Sequence, residues 1–445
     1  MFGATIPFFR GHCQGGGGEF SKFKRYCHSG VDFLQGFVQL FTGKSKGTGG
    51  SCNQNIPLGR KLCYNASIRW KGTILMTTKQ ANRVRWLTAL ILFLCTTGIY
   101  ELAKHCPNLL FPWYQNGSRK LLNLWGHITD LFPFSLLEWG GLGLIWLAMG
   151  WIIKVISRRK GLGKLCSTAA LIASIILFLF VTLWGADQFA PTFTSTTAYT
   201  RTEFTPEEAA QAAEYYLEMA NAYALESPRD ENGVTDFGGF SALEESAGSG
   251  YDYLRENYGD RFDILPVRPK GLAFSRLMDL CGLTGIFTAY TGEMGINVDT
   301  PDVSLPFTIS HECAHRTTVT QEADANFVAF LACIHSWDPK YRYSGYYSAV
   351  IYCYNAIAKT DKENQAILWN GMNDQLRADV LSANAHYAQF EKPIKKAAEK
   401  ANDSYLRSFN QPTGVNNYGA VAGALMAWYW TEIGSTQKYD DYSAL

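Results

Sequence analysis

The sequence lacks any marked excess of charge. Its 445 residues carry 40 basic and 39 acidic side chains, which gives a formal net charge of +1. Proteins that bind nucleic acids usually concentrate basic residues in a patch or stripe, and the chain has no surplus from which to build one. The composition therefore gives no support to a nucleic-acid partner.

Closely paired cysteines are also missing. The eleven cysteines are scattered along the chain, and no two of them stand in a Cys-x-x-Cys arrangement. That spacing is typical of cysteine-built zinc sites and of thioredoxin-like redox sites, so neither is predicted. An odd number of cysteines also argues against a fully paired disulfide framework.

Hydrophobic residues make up 47% of the chain, and three long runs concentrate them. These runs cover residues 86–100, 135–156 and 165–185. A bilayer core of about 30 Å requires roughly 20 apolar residues in a helix. The third run has no charged residue, whereas the first is short, so a buried core helix is the alternative for it. We predict a three-helix transmembrane region over residues 76–186.

The distribution of basic residues predicts the orientation of these helices. Four stand in the short link between the second and third runs: Arg158, Arg159, Lys160 and Lys164. Three are spread over the longer link between the first and second runs: Lys104, Arg119 and Lys120. Because cytoplasmic loops carry the excess of Lys and Arg, we expect a multi-pass protein of the cell membrane. Residues 187–445 are then extracytoplasmic.

The first 75 residues differ from the rest of the chain. They are rich in glycine and have no sustained hydrophobic periodicity. Then come Met76, a short basic segment and the first apolar run. This order is typical of the N-terminus of a membrane protein, so Met76 is a candidate for the true first residue. We expect residues 1–75 to be a disordered cytoplasmic tail or a segment outside the true reading frame, with no chemistry of its own.

Residues 187–445 are predicted to be mainly α-helical with a small β element. Thr205 and Pro206 are suited to begin a helix, and long stretches beyond Pro339 have helical patterns. Gly295–Thr300 is the best strand candidate, because apolar residues alternate there. The apolar segment near the C-terminus is short, which favours a core helix over a fourth membrane span.

The sequence His-Glu-Cys-Ala-His at residues 311–315 is the strongest chemical signal. Residues four apart share one face of a helix, so His311 and His315 can bind the same metal ion. Glu312 lies beside them as a candidate general base. Catalytic zinc usually has three protein ligands, and a following acidic helix offers Glu322, with Asp324 as the alternative.

The neighbours of the third ligand refine this prediction. Thr318 or Thr320 is suited to cap the second helix, on which Glu322 and Asn326 share a face while Asp324 points elsewhere. We therefore expect Glu322 to bind the metal and Asn326 to orient a ligand by hydrogen bonding. Histidine and carboxylate ligands suit zinc.

Two long runs resemble a bacterial family of uncharacterised three-span membrane proteins with an HExxH-bearing extracytoplasmic domain. They are GLTGIFTAYTGEMGINVDTPDVSLPFTISHECAHRTTVTQEADANFVAFLAC and NDSYLRSFNQPTGVNNYGAV, and the similarity extends from about Met76 to the C-terminus. The site helices also resemble the gluzincin class of zinc peptidases, in which the third ligand is a glutamate in a Glu-x-x-Ala-[Asp/Asn] pattern. Glu322, Ala325 and Asn326 match that pattern.

The chain departs from the family pattern at two places. Arg316, Thr317 and Thr318 stand where family members usually have a glycine-containing turn, and Asp324 stands where they tend to have glutamate. The resemblance also implies an edge strand that aligns an extended peptide. The segment GEMGINVDTP is suited to that role, and an ordinary hairpin is the alternative.

The sequence and the resemblance together predict a membrane-anchored, zinc-dependent metallopeptidase with a zincin-like fold. Zinc would be held by His311, His315 and Glu322, with Glu312 as the catalytic base and Tyr418 as a transition-state donor. The alternative function is a non-catalytic membrane protein that binds peptide or cell-envelope components. The predicted partners are the lipid bilayer and a peptide or protein substrate.

Overall fold

Three helices have the length and the apolar composition to cross a membrane. They are α1 (Thr78–His105), α3 (Leu136–Ser157) and α4 (Leu162–Phe180). The chain continues from α4 through a π turn and a 3-10 turn to Phe189. The computed structural model describes residues 77–157, 161–390, 393–411 and 418–434, so the predictions for residues 1–75 lie outside the described residues.

The link between α1 and α3 is itself a helix, α2 (Pro107–Thr129). Only one residue, Cys106, separates it from α1. The sequence did not predict this helix. The described residues all belong to one compact unit. The proposed domain boundary between residues 186 and 187 stays a prediction.

Ten further α-helices follow these four in the described residues. They are α5 (Pro206–Glu226), α6 (Tyr251–Tyr258), α7 (Ser275–Cys281), α8 (Leu305–Arg316), α9 (Glu322–Ile334), α10 (Pro339–Ile357), α11 (Lys362–Gly371), α12 (Asp374–Ala388), α13 (Pro393–Ser408) and α14 (Tyr418–Glu432). The mainly helical fold is thus confirmed. Thr205 caps α5 in a capping box with Glu208, and Pro206 occupies the first turn, as predicted.

A small sheet contains three strands, β1 (Lys270–Gly271), β2 (Gly285–Thr288) and β3 (Glu293–Ile296). Their order is β1-β3-β2, with β1 parallel and β2 antiparallel to β3. The predicted strand therefore begins earlier than expected and ends at Ile296. β3 forms a hairpin with β2, which is the alternative that the sequence left open, and β1 pairs with Gly295 and Ile296 on its other side.

The core lies around α8, α9 and α10. Every residue of α8 is buried, and α9 and α10 are almost as fully enclosed. The C-terminal helix α14 packs here through buried residues such as Leu425 and Trp428, which confirms the prediction of a core helix. Because α8, α9 and α10 are surrounded by close-packed side chains, their relative positions are tightly fixed.

Candidate metal centre

The two histidines of the HExxH sequence lie one turn apart on α8. The helix begins at Leu305 with Pro306 in its first turn, where the missing N–H of proline costs nothing. The rings of His311 and His315 lie edge to face with their centroids 4.5 Å apart. Both side chains are buried, so any group between them is shielded from bulk water.

Glu322, the first residue of α9, completes a three-residue cluster with the histidines. Its Oε2 lies 3.4 Å from His311 Nε2, and its Oε1 lies 3.7 Å from His315 Nε2. One potential ligand atom from each residue lies within 4.8 Å of the other two. The structure thus brings together the three residues that the sequence predicted as metal ligands.

The outer nitrogens of both imidazoles are engaged. His311 Nδ1 lies 2.9 Å from Asn326 Oδ1, and His315 Nδ1 lies 2.7 Å from the carbonyl oxygen of Val319. A carbonyl oxygen only accepts, so His315 Nδ1 carries the proton, and in the neutral ring Nε2 presents its lone pair. This is the tautomer that metal-binding histidines usually adopt.

The inner nitrogens need a partner. His311 Nε2 and His315 Nε2 are buried, and neither makes a hydrogen bond within the part of the chain that the structure describes. Buried polar atoms in native proteins are nearly always satisfied. Both nitrogens belong to the ligand cluster formed with Glu322, and a cation bound there would satisfy both.

The electrostatics of the cluster favour a positive charge in its centre. Burial and the neighbouring His311 lower the pKa of His315 to about 3, so that ring is neutral at physiological pH. Burial also acts to lower the pKa of His311, but Glu322 more than offsets it and the net shift is upward. Burial likewise acts to raise the pKa of Glu322, but the two histidines produce a net decrease. The carboxylate therefore stays ionised beside the imidazoles.

Glu312 lies buried on the same helix, against strand β2. A Cβ atom at Gly285 would come within 2.5 Å of Glu312 Oε1 and 2.9 Å of its Cγ. The strand backbone therefore passes close to the side chain of Glu312, and any side chain at position 285 would displace it. The position next to His311 is the one expected for a general base.

The alternative ligand Asp324 points away from the histidines. Its carboxylate accepts hydrogen bonds from the backbone N–H groups of Phe193 and Thr194 and from the Thr194 hydroxyl, the last at 2.9 Å. Burial raises the pKa of Asp324, and these hydrogen bonds limit the increase. The helical spacing predicted that Asp324 faces away from Glu322, and these contacts agree with that. They also hold the segment that follows α4, which the sequence did not predict.

The predicted cap of α9 is wrong. Neither Thr318 nor Thr320 caps the helix; Gln321 occupies the N-cap position and makes no side-chain cap hydrogen bond. Instead the N–H group of Glu322 donates to Gln411 Oε1 at 3.3 Å. Thr318 has φ of 63°, a left-handed conformation that glycine adopts without strain.

Sequence reasoning missed the role of Arg316. This residue directly follows His315 and is fully buried. Its Nη1 donates to Asp130 Oδ2 at 2.7 Å, and its Nη2 lies 3.1 Å from His127 Nδ1. Arg316 therefore links the site helix to the end of α2. Asp130 stands far away along the chain, so the sequence around Arg316 gave no local signal of this contact.

Residues from the turns that follow α4, from α13 and from the segment after α13 lie beside the cluster. The Trp184 ring packs edge to face against His315 with centroids 5.3 Å apart, and its Nε1 donates to the Tyr405 hydroxyl at 2.9 Å. Gln411 donates to Gln188 Oε1 at 2.8 Å. The predicted transition-state donor Tyr418 begins α14, but its side chain lies outside the described residues.

Comparison with known proteins places the chain in one family. The family described as "Protein of unknown function (DUF3810)" matches residues 114–426, and the chain belongs to this family. No curated protein and no solved structure matches it.

Proposed function

We propose that this member of a family of unknown function is a membrane-anchored, zinc-dependent metallopeptidase. The convergence of His311, His315 and Glu322 carries the proposal, because their three ligand atoms lie within 4.8 Å of one another. Two imidazole nitrogens and one carboxylate form a donor set of the kind found in catalytic zinc sites. The two buried Nε2 atoms also fit a cation, since both face the Glu322 carboxylate at the centre of the cluster.

The remaining residues suit hydrolysis of a peptide bond. A zinc ion held by these ligands would act as a Lewis acid toward water and a substrate carbonyl. Glu312, close to Gly285, would take the proton of the attacking water and deliver it to the leaving amine. Asn326 and the Val319 carbonyl would keep the imidazoles oriented toward the ion.

The metal content of the full-length chain tests the ligand set. After zinc loading and gel filtration in detergent, the wild-type protein should carry about one zinc per chain. Glu322→Gln removes the ligand charge at constant shape and should release the metal. Asp324→Asn is the matched control on the same helix and should retain it. Wild-type protein without zinc, or full zinc in Glu322→Gln, would overturn the site.

Turnover is tested separately through Glu312. Glu312→Gln should keep about one zinc per chain, because Glu312 is not a ligand. The same variant should lose hydrolysis of a fluorogenic peptide mixture, because the general base is gone. If zinc binds but wild-type protein hydrolyses none of the peptides, the alternative of a non-catalytic protein that binds peptide or cell-envelope components replaces the enzyme.

The membrane orientation is part of the proposal. Arg158, Arg159 and Lys160 stand between α3 and α4, and Lys164 stands in the first turn of α4. This excess of basic residues favours a cytoplasmic location for that link. The residues after α4 then lie outside the cytoplasm. Protease added to intact cells should digest the C-terminal region in this orientation, whereas protection until the cells are lysed would place it inside.

A further inference from the structure

An exposed apolar face on α2 is not explained by the site or by the three membrane helices. Its members recur at spacings of three, four and eight residues, so they share one side of the helix. We call this set the apolar stripe: Leu109, Trp113, Leu121, Leu124 and Ile128. Each side chain is at least 42% exposed, and a helix face of this kind needs a covering partner.

The opposite face of α2 is buried in the protein. Ser118, Leu122 and Gly126 are buried there. The Ser118 hydroxyl donates to Asp187 Oδ2 at 2.7 Å, and Trp125 Nε1 donates to the Tyr290 carbonyl oxygen at 2.8 Å. The helix is therefore held firmly on one side while the apolar stripe faces outward.

The ends of α2 tie it to the surface of the bilayer. One residue separates it from α1 and six residues separate it from α3, and both neighbours are candidate membrane spans. A helix of 23 residues is about 34 Å long, whereas six extended residues reach at most about 20 Å. Both ends of α2 therefore stay near the same membrane surface, and its axis runs along that surface.

The segment that joins α2 to α3 continues the apolar surface. Three of its side chains are large, hydrophobic and exposed: Leu131, Phe132 and Phe134. They lead directly into the exposed apolar side chains of α3. Lys120, which is also exposed, stands beside the stripe where a lysine can reach lipid headgroups.

We propose that α2 is a membrane-surface helix. Its apolar stripe is buried in the lipid leaflet that faces the residues after α4, which include the candidate metal centre. Helices with one apolar and one polar face bind in this way, with the apolar side some 5–10 Å into the headgroup boundary. The number of membrane crossings agrees with this placement. α2 follows one candidate span and the residues after α4 follow three, so both lie on the same side of the membrane. The side of α2 away from lipid then holds Arg316 and the site helix.

Radical footprinting of the full-length chain tests this placement, because two tryptophans form a matched pair. Trp113 of the stripe is 65% exposed and Trp337, between α9 and α10, is 62% exposed. In nanodiscs of phosphatidylcholine and phosphatidylglycerol, hydroxyl radicals should oxidise Trp113 several-fold more slowly than Trp337. Similar rates would overturn the proposal.

A second measurement identifies what protects the stripe. Nanodiscs that contain a phospholipid with a diazirine on its acyl chain are illuminated, and the labelled peptides are mapped by mass spectrometry. Label on the stripe residues supports lipid contact. Protection of Trp113 without lipid label would mean that protein covers the stripe, and would also overturn the proposal. Neither result depends on zinc, so the outcome is independent of the proposed enzyme activity.

Discussion

The buried ion pair between Arg316 and Asp130 provides a sharp test of how the site helix is held. We predict that Asp130→Asn destabilises the protein by about 3 kcal/mol, because breaking a buried pair leaves an uncompensated charge. The Arg316 side chain is fully buried and Asp130 is 12% exposed, with 2.7 Å between Nη1 and Oδ2. The remaining contact of the guanidinium with Asn123 Oδ1, at 3.3 Å, keeps the loss at the lower end of the usual range.

A second pair of the same length serves as the control. Arg407 Nε lies 2.7 Å from Asp403 Oδ2, but these side chains are 50% and 29% exposed. Exposed pairs contribute about 0–1 kcal/mol, so Asp403→Asn should scarcely change stability. The assay is the apparent melting temperature of the full-length chain in detergent, scanned at one fixed rate because membrane proteins often unfold irreversibly.

A double variant separates charge from packing. Arg316→Met with Asp130→Leu removes both charges and keeps the volume, and such replacements are often neutral or stabilising. We therefore expect the double variant to melt several degrees above Asp130→Asn. Equal melting temperatures for Asp130→Asn and Asp403→Asn would refute the reasoning, since burial would then make no difference to the pair.

Three further predictions concern backbone positions. Gly285→Ala should abolish peptide hydrolysis but retain zinc, because the new Cβ would lie 2.5 Å from Glu312 Oε1; metal analysis and the peptide assay check this. Thr318→Gly should raise the melting temperature, since φ of 63° costs a residue with a Cβ about 1–2 kcal/mol. Gly250→Ala should lower stability by about 3 kcal/mol or more, because its Cβ would meet the Ala332 carbonyl oxygen; thermal unfolding measures it.

Matched glycine and asparagine positions provide the controls. Gly295→Ala crowds Leu272 in the same sheet without approaching Glu312, so hydrolysis that falls equally in both variants would contradict the first prediction. Asn410 has the same φ of 63°, but asparagine tolerates it, so Asn410→Gly should gain less stability than Thr318→Gly. Nothing lies within 4 Å of a Cβ at Gly419, and Gly419→Ala should be neutral.

Local geometry made much of the site predictable. The helical repeat alone placed His311 and His315 on one face and separated Glu322 from Asp324. The capping preferences of Thr205 and Pro206 correctly predicted that α5 begins at Pro206. The three helices that are long and apolar enough to cross a membrane were predicted from run length, because a bilayer core sets a minimum number of apolar residues.

Contacts between distant parts of the chain were not predictable in this way. Arg316 and Asp130 are brought together by the packing of α8 on α2, and nothing near either residue in the sequence signals the partner. The place of β3 between two strands likewise depends on β1, which is only two residues long. The sequence therefore left a choice open, or gave no signal, where a short element or a single side chain is fixed by tertiary contacts rather than by its own pattern.

The same distant contacts make residues N-terminal to position 187 part of the candidate site. Trp184 packs against His315, and Asp130 neutralises the buried charge of Arg316 next to it. A chain that began at residue 187 would lack both, which would leave one face of His315 open to water and a buried guanidinium without its carboxylate. Because ligand orientation controls metal affinity, the geometry of the cluster depends on residues on the N-terminal side of the boundary that the sequence suggests.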